Sequence, residues 1–325
     1  MSCDKTTESG VKMKAISLFS GAGGLDLGII QAGNSIIWAN DIDKDAVATY
    51  KQNIGNHIVL GDIRNIDVST LPDAEVVVGG FPCQGFSQAN THRVLDDERN
   101  QLYRFFYEVI KVKQPKFFIA ENVKGILSYG KGKAIEQIVA DFEQAGYVTR
   151  VHLVNMADYG VPQSRQRVVI IGQNVKLGKE MLFRFPVPTN NKDGSNGLKK
   201  WISIKEAIDH FPDPDEENDV LNHIYSAYKV VYRNYTAHRK TDPDKPSPTI
   251  IARGNGGGGV CAIPHYNEKR RLTIRESASV QTFPEDFCFV GSMNACYRQI
   301  GNAVPVKFAR LLGEELVRLE KEEKI

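Results

Sequence analysis

Short apolar runs recur through the first half of the chain, and each abuts glycine, acidic or basic residues. Ala15–Phe19 (AISLF) ends in Ser-Gly-Ala-Gly-Gly, Ser35–Ala39 (SIIWA) leads to Asp41, and Ile58–Leu60 precedes Gly61-Asp62. Glu75–Val78 precedes Gly79-Gly-Phe-Pro-Cys83, Phe117–Ala120 precedes Glu121-Asn122, and Val168–Ile171 follows Arg165 and Arg167. Runs of this length bounded by turn residues read as buried strands. Between them, Leu25–Ala32, Gln101–Lys113 and Ala134–Ala145 place apolar residues at helical spacing. Alternation of the two patterns predicts an α/β fold with a doubly wound, mostly parallel sheet. Ligands of such sheets bind beyond the carboxyl ends of the strands, which is where most of the polar and Gly-rich elements fall.

The pattern fades after about residue 175. Residues 186–260 hold seven prolines, and Gly254–Gly259 holds five glycines. This predicts a second, smaller and irregular domain. Order returns after residue 272, and Lys307–Lys321 reads as a closing helix.

Composition adds exclusions. With 325 residues, 42% hydrophobic and 25% charged, the chain is long enough for a sizeable core. The net charge of +2 gives no global attraction to nucleic acid, so cations for such a partner would have to be clustered. The five cysteines (Cys3, Cys83, Cys261, Cys288, Cys296) include no C-x-x-C pair, which argues against a disulfide framework and a zinc site. The polar first residues do not read as a signal peptide, and no apolar run reaches the roughly 20 residues of a membrane span. The expectation is a cytoplasmic protein with usable thiols.

The chemistry concentrates in four stretches. Phe19-Ser-Gly-Ala-Gly-Gly-Leu-Asp-Leu-Gly28 is a glycine turn after a first strand, but Asp26 stands where the dinucleotide fingerprint wants Gly or Ala. Asp41, about 20 residues on, can accept ribose hydroxyls, and Asp62 can accept from an adenine amine; together the three elements predict a nucleoside ligand. Gly79–Gln88 presents Cys83 in a loop, with Pro82 restricting the backbone before it. A free cysteine is more often a small buried hydrophobe, yet Gly85 and Ser87 are loop residues rather than core residues. Glu121 ends a buried strand and can exchange a proton. Arg165 and Arg167 alternate on one face of an extended segment and can reach an anion or a carbonyl at the same rim.

In order, FSGAGGLDLG, DID, GDI, GGFPCQGFS, ENV, QSRQR, RESASVQTFPEDF and GNAVP resemble the motifs of DNA (cytosine-5)-methyltransferases, above all those of bacterial restriction–modification systems. The resemblance covers residues 14–175 and 270–310. It implies a Rossmann-like catalytic domain over 12–175, completed by 290–325, and a target-recognition domain over 176–289. It implies Cys83 as nucleophile, Glu121 on the base edge, and Arg167 assisted by Arg165 at the O2 carbonyl. It implies S-adenosylmethionine as methyl donor, leaving S-adenosylhomocysteine, with no metal. Phe19, Gly21, Gly23, Leu25, Asp41, Ile42, Asp62, Ile63, Pro82 and Asn302 would form its site.

Double-stranded DNA would be the substrate, its cytosine flipped out, with Gln84 and Ser87 of the closing loop touching it. Sequence reading would lie in 176–270, where Arg233, Asn234, Arg239 and Arg253 are candidates for base contacts. A monomer paired in function with a cognate restriction endonuclease is expected. A related alternative is a cytosine-5 methyltransferase acting on transfer RNA. Rivals of other classes are a catalytically silent DNA-binding module and an NAD-dependent oxidoreductase. The intact Cys83, Glu121, Arg165 and Arg167 argue against the first, and the missing fingerprint glycine against the second.

Overall fold

A computed structural model describes residues 12–81, 101–227, 230, 240–252, 263–267 and 270–323. Seven strands form the main sheet: β1 (Lys14–Leu18), β2 (Ser35–Asp41), β3 (Ile58–Leu60), β4 (Val76–Gly79), β5 (Phe117–Val123), β6 (Tyr147–Asn155) and β8 (Gln166–Asn174), in the order β3-β2-β1-β4-β5-β8-β6. The short strand β7 (Gln163–Ser164) precedes β8 and lies outside that sheet. Strands β1 to β5 pair in parallel, and β8 runs antiparallel to both β5 and β6. The strand order reverses between β1 and β4, the place where an open α/β sheet leaves a crevice beyond its carboxyl ends.

The expected strands are present, several of them longer than the apolar runs. One strand of the main sheet was not anticipated. In β6 (YVTRVHLVN) burial is broken by the exposed Arg150 and Leu153. It lies at the sheet edge, where one flank needs no apolar side chains, so its pattern resembles neither a buried strand nor a helix.

Helices α1 (Gly24–Gln31), α2 (Lys44–Asn53), α3 (Gln101–Lys113) and α4 (Lys133–Gln144) cover the faces of this sheet. Beyond β8 regular structure thins to the two-residue strands β9 (Asn190–Asn191), β10 (Lys199–Lys200) and β11 (Ser247–Pro248), and to α5 (Ile204–Ile208), α6 (Ile274–Val280) and α7 (Met293–Asn302). An apolar cluster joins Ile204, Ile250, Ile274, Phe283 and Ile300 to Val306.

The last helix, α8 (Val306–Glu323), returns to the sheet. Its Phe308, Leu312, Leu316 and Leu319 share one core with Leu25 and Ile29 of α1. The two helices touch backbone to backbone. A Cβ on Gly28 would stand 2.4 Å from Ala309 Cβ and 2.6 Å from Arg310 N, and one on Gly313 would stand 2.7 Å from Ala32 Cβ. The end of the chain therefore seats the helix that carries the Gly-rich turn. Among the described residues no helix is long and apolar enough to cross a membrane.

Candidate active site

A cleft of about 570 Å³ opens at the switch point between β1 and β4. Its first wall is the Phe19–Gly24 turn. Phe19 has φ 57°, Gly21 φ 57° and Gly23 φ 88°, so the chain leaves β1 through left-handed backbone before entering α1. At Gly23 a side chain would also run into Ile54 Cδ1 at 2.3 Å and Tyr50 Cδ2 at 2.9 Å, so only glycine fits. Gly23 thus shapes the turn from behind the residues that line the cleft. Gly21 lines it, with open space where a Cβ would be.

The second wall is acidic. Asp41 ends β2, and its carboxylate accepts from Gly21 N at 2.7 Å and Asp43 N at 2.8 Å. Burial pushes its pKa up. Asp62 caps a short turn after β3 and accepts from Arg64 Nε through both oxygens at 3.0 Å, which holds its pKa down. Asp41 keeps acceptor sites beyond these partners, whereas Arg64 N at 3.0 Å and Arg64 Nη2 also donate to Asp62, so Arg64 occupies that carboxylate from both sides. Leu25 and Ile63 lie buried on the wall, Ile42 is exposed at the rim, and Asn302 is exposed on the far side.

The third wall carries an ion pair. Glu121 near the end of β5 meets Arg167 of β8, with Nε 2.9 Å from Oε1 and both side chains largely buried. Antiparallel pairing of β5 with β8, Val123 opposite Arg167, brings these sequence-distant groups together. Burial pulls the Arg167 pKa down, against the opposing pull of Glu121.

Arg165 also lines the cleft, yet both its Nη groups are engaged elsewhere, while Nε is buried with no partner among the described residues. Nη1 donates to Ile250 O at 2.8 Å, and Nη2 donates to Gly301 O at 2.9 Å and Ala303 O at 3.2 Å. Through these bonds Arg165, between β7 and β8, bolts the start of the Arg167 strand to two other segments.

Cys83, Pro82, Gln84, Ser87, Arg233, Asn234, Arg239 and Arg253 lie outside the described residues. The root of the Cys83 loop is described. Phe81 is buried against Tyr103 and Phe106, and its carbonyl accepts from Asn122 Nδ2 at 2.9 Å. Asn122 was quoted in a motif without a role. Its position directly after Glu121, on the opposite face of β5, was the available signal.

Asp26 was read only as a departure from the dinucleotide fingerprint. It is fully buried on the cleft wall and accepts from Ser17 Oγ at 2.7 Å and Tyr50 OH at 2.9 Å. Tyr50 OH is in turn 3.0 Å from His57 Nε2, and Ser20 Oγ is 3.0 Å from Ser17 Oγ. Burial pushes Asp26 up to about 6.

The chain matches the family model for C-5 cytosine-specific DNA methylases over residues 13–318. It is 42% identical over 317 residues to the Type II methyltransferase M.NgoFVII of Neisseria gonorrhoeae, covering 90% of this chain and 83% of that protein. It is 36% identical over 326 residues to M.FnuDI of Fusobacterium nucleatum, covering 94% of both. Its fold is similar, with a TM-score of 0.76 at 24% identity, to an E. coli prophage protein designated a DNA modification methyltransferase, over 96% of this chain and 100% of the other.

Proposed function

This chain belongs to the C-5 cytosine-specific DNA methylase family, and from that premise we propose how its residues carry the reaction. It is a DNA (cytosine-5)-methyltransferase related to Type II modification enzymes. The observation that carries the residue assignment is the placing of the Gly21 turn, Asp41 and the Glu121–Arg167 pair on one cleft.

The donor site follows from the wall chemistry. The left-handed turn at Phe19–Gly21, the open space at Gly21 and the half-buried Asp41 carboxylate suit a nucleoside with a chain attached. Phe19, Gly21, Leu25, Asp41, Ile42, Asp62, Ile63, Pro82 and Asn302 would hold S-adenosylmethionine, with Gly23 shaping the turn. When bound, that group supplies an electrophilic methyl. No metal is required by this chemistry.

The remaining steps belong to the protein. The Cys83 thiolate attacks C6 of the flipped cytosine, forming an S–C6 bond and shifting the ring electrons toward C5. Glu121 holds N3 and the exocyclic amine and favours the proton at N3. Arg167 binds the O2 carbonyl, with Arg165 fixing its strand. Once C5 carries the methyl group, loss of the C5 proton and expulsion of the thiolate restore the aromatic ring. Gln84 and Ser87 close over the base.

Residues 12–175 with 290–325 form the catalytic part, and 176–289 form the part that reads DNA, through Arg233, Asn234, Arg239 and Arg253. The enzyme acts as a monomer that protects DNA from a cognate endonuclease.

The test is transfer of labelled methyl from S-adenosylmethionine to duplex DNA and, separately, to transfer RNA. DNA should be labelled and transfer RNA not. Cys83→Ser should still bind the donor, lose transfer, and no longer be trapped on 5-fluorocytosine DNA. Turnover at the wild-type rate in Cys83→Ser would remove the covalent assignment.

A further inference from the structure

Three fully buried polar side chains on two segments form a connection of which the reaction just described uses only Arg165. Gln163 on β7, Arg165 just beyond it and Gln281 after α6 are each at most 1% exposed. The amides form a directional chain. Ile250 N donates to Gln163 Oε1 at 3.0 Å, Gln163 Nε2 donates to Gln281 Oε1 at 2.9 Å, and Gln281 Nε2 donates to Ile300 O at 2.7 Å. Arg165 closes the circuit by donating to Ile250 O, Gly301 O and Ala303 O.

None of these bonds belongs to a helix or a sheet ladder. They tie together three parts: β7–β8, which carries Arg167; the Ile250–Ala252 segment, which leads into the stretch holding Arg253; and residues 300–303, which present Asn302 to the cleft. Contact between the last two is backbone on backbone. A Cβ on Gly301 would stand 2.5 Å from Ala252 N and 2.7 Å from Ile251 C. With no side chain between them to absorb a shift, displacement of either segment moves the other. Strand β11 and Thr249, whose Oγ1 donates to Ser164 O at 2.7 Å, hold the same segment against β7.

We propose that Gln163, Gln281 and Arg165 are positioning residues that couple DNA occupancy of the recognition segment to cofactor occupancy of the cleft. DNA seated on 176–289 presses on Ile250–Ala252, and the amide chain and Gly301 carry that placement to Asn302 and Arg167. Coupling of this kind is reciprocal by thermodynamic necessity. The inference rests on the assignment of 176–289 to DNA reading and of the cleft to S-adenosylmethionine.

The experiment uses the full chain, S-adenosylhomocysteine and a duplex carrying the site it methylates. DNA affinity is measured with and without S-adenosylhomocysteine, and S-adenosylhomocysteine affinity with and without DNA. In the wild type each ligand should tighten the other by the same factor, roughly fivefold or more. Gln281→Met keeps the side-chain length and removes the amide bonds to Gln163, Ile300 O and Ala303 O. It should bring that factor to within about twofold of one, while S-adenosylhomocysteine alone still binds within about threefold of wild type. Thr249→Val, a surface change that leaves the core intact, should lower the factor partway and keeps the test open if Gln281→Met does not fold.

Wild type that binds both ligands without coupling, or variants that keep the full factor, would overturn the proposal. Wild type unable to bind the duplex or S-adenosylhomocysteine would instead remove the underlying assignment, and the proposal with it. A purely structural role predicts lowered thermal stability with the coupling factor unchanged.

Discussion

Arg167 and Glu121 meet at 2.9 Å with side chains 12% and 14% exposed, so removing one leaves the other desolvated and unpaired. A hydrogen bond to a charged group contributes about 1.5–3 kcal/mol, or about tenfold to a hundredfold in rate if it acts on the transition state. Arg167→Ala is expected to lower methyl transfer by at least that factor, with S-adenosylmethionine affinity changed much less. Single-turnover transfer and equilibrium binding would separate the two effects, and an unchanged transfer rate would take Arg167 out of the site. Asp26 poses a different residue-scale problem. Its rise from 3.8 to about 6 means that the buried charge is disfavoured by about 3 kcal/mol. The folded chain holds this proton more tightly than the unfolded chain does. Its stability contribution is therefore full below about pH 4 and lost as pH rises through about 6. Asp26→Asn removes that loss, so its stability relative to wild type should climb by up to about 3 kcal/mol between pH 4 and pH 7. Urea midpoints across that range check it, and a difference that does not vary with pH would show that Asp26 does not titrate there.

At the scale of elements, the crossing of α1 and α8 decides whether the Gly-rich turn is seated. Alanine usually favours a helix over glycine by about 1 kcal/mol. At Gly28 the added carbon would meet backbone atoms of Val306 and Arg310 at 2.6 Å, which cannot yield as a side-chain tip can. Gly28→Ala should therefore destabilise by about 1–3 kcal/mol and weaken cofactor binding. Gly125→Ala, whose nearest foreign atom is 4.0 Å away, should stay within about 0.5 kcal/mol of wild type. Equal midpoints for the two variants would mean that the helix crossing tolerates a methyl group. These elements also mark how far the sequence could be read. Buried strands announce themselves because both faces are apolar, and the residues after β1, β2 and β5 therefore fell at one rim as expected. Strand β6 escaped because edge positions mix Arg150 and His152 with valines. The Gln163–Gln281 contact escaped for another reason: its partners are 118 residues apart, and a buried glutamine carries no local pattern. Arg165 was legible as a cation at the cleft, but its carbonyl partners at Ile250, Gly301 and Ala303 depend on tertiary placement alone.

On the scale of the whole molecule, the proposed division of labour has one rim performing chemistry on a flipped cytosine and the irregular region selecting which cytosine arrives. An apolar cluster running from Ile204 to Val306 joins the two parts, and the Ile250–Ala252 segment lies against Gly301. Arg253 immediately follows that anchored segment and begins the Gly-rich stretch. Strand β11 ends at Pro248, so the Thr249–Ala252 segment is held not by sheet pairing but by Gln163, Arg165 and the Thr249 hydroxyl. An arginine that directly follows an anchored segment can enter a groove and align with guanine O6 and N7. A base-reading arginine and a phosphate-binding arginine then fail differently. Loss of a bidentate guanine contact costs about 1–3 kcal/mol at one position and relaxes specificity there, whereas loss of a phosphate contact weakens all sequences alike and lowers the salt slope by about one. Arg253→Ala is expected to behave in the first way. Arg233, with no anchored neighbour among the described residues, is the second choice. Methylation rates on a panel of single-base variants of the site, at two salt concentrations, distinguish the outcomes. A uniform drop with unchanged preference and a shallower salt slope would make Arg253 a phosphate contact and move the search for the reading residues elsewhere in 176–289.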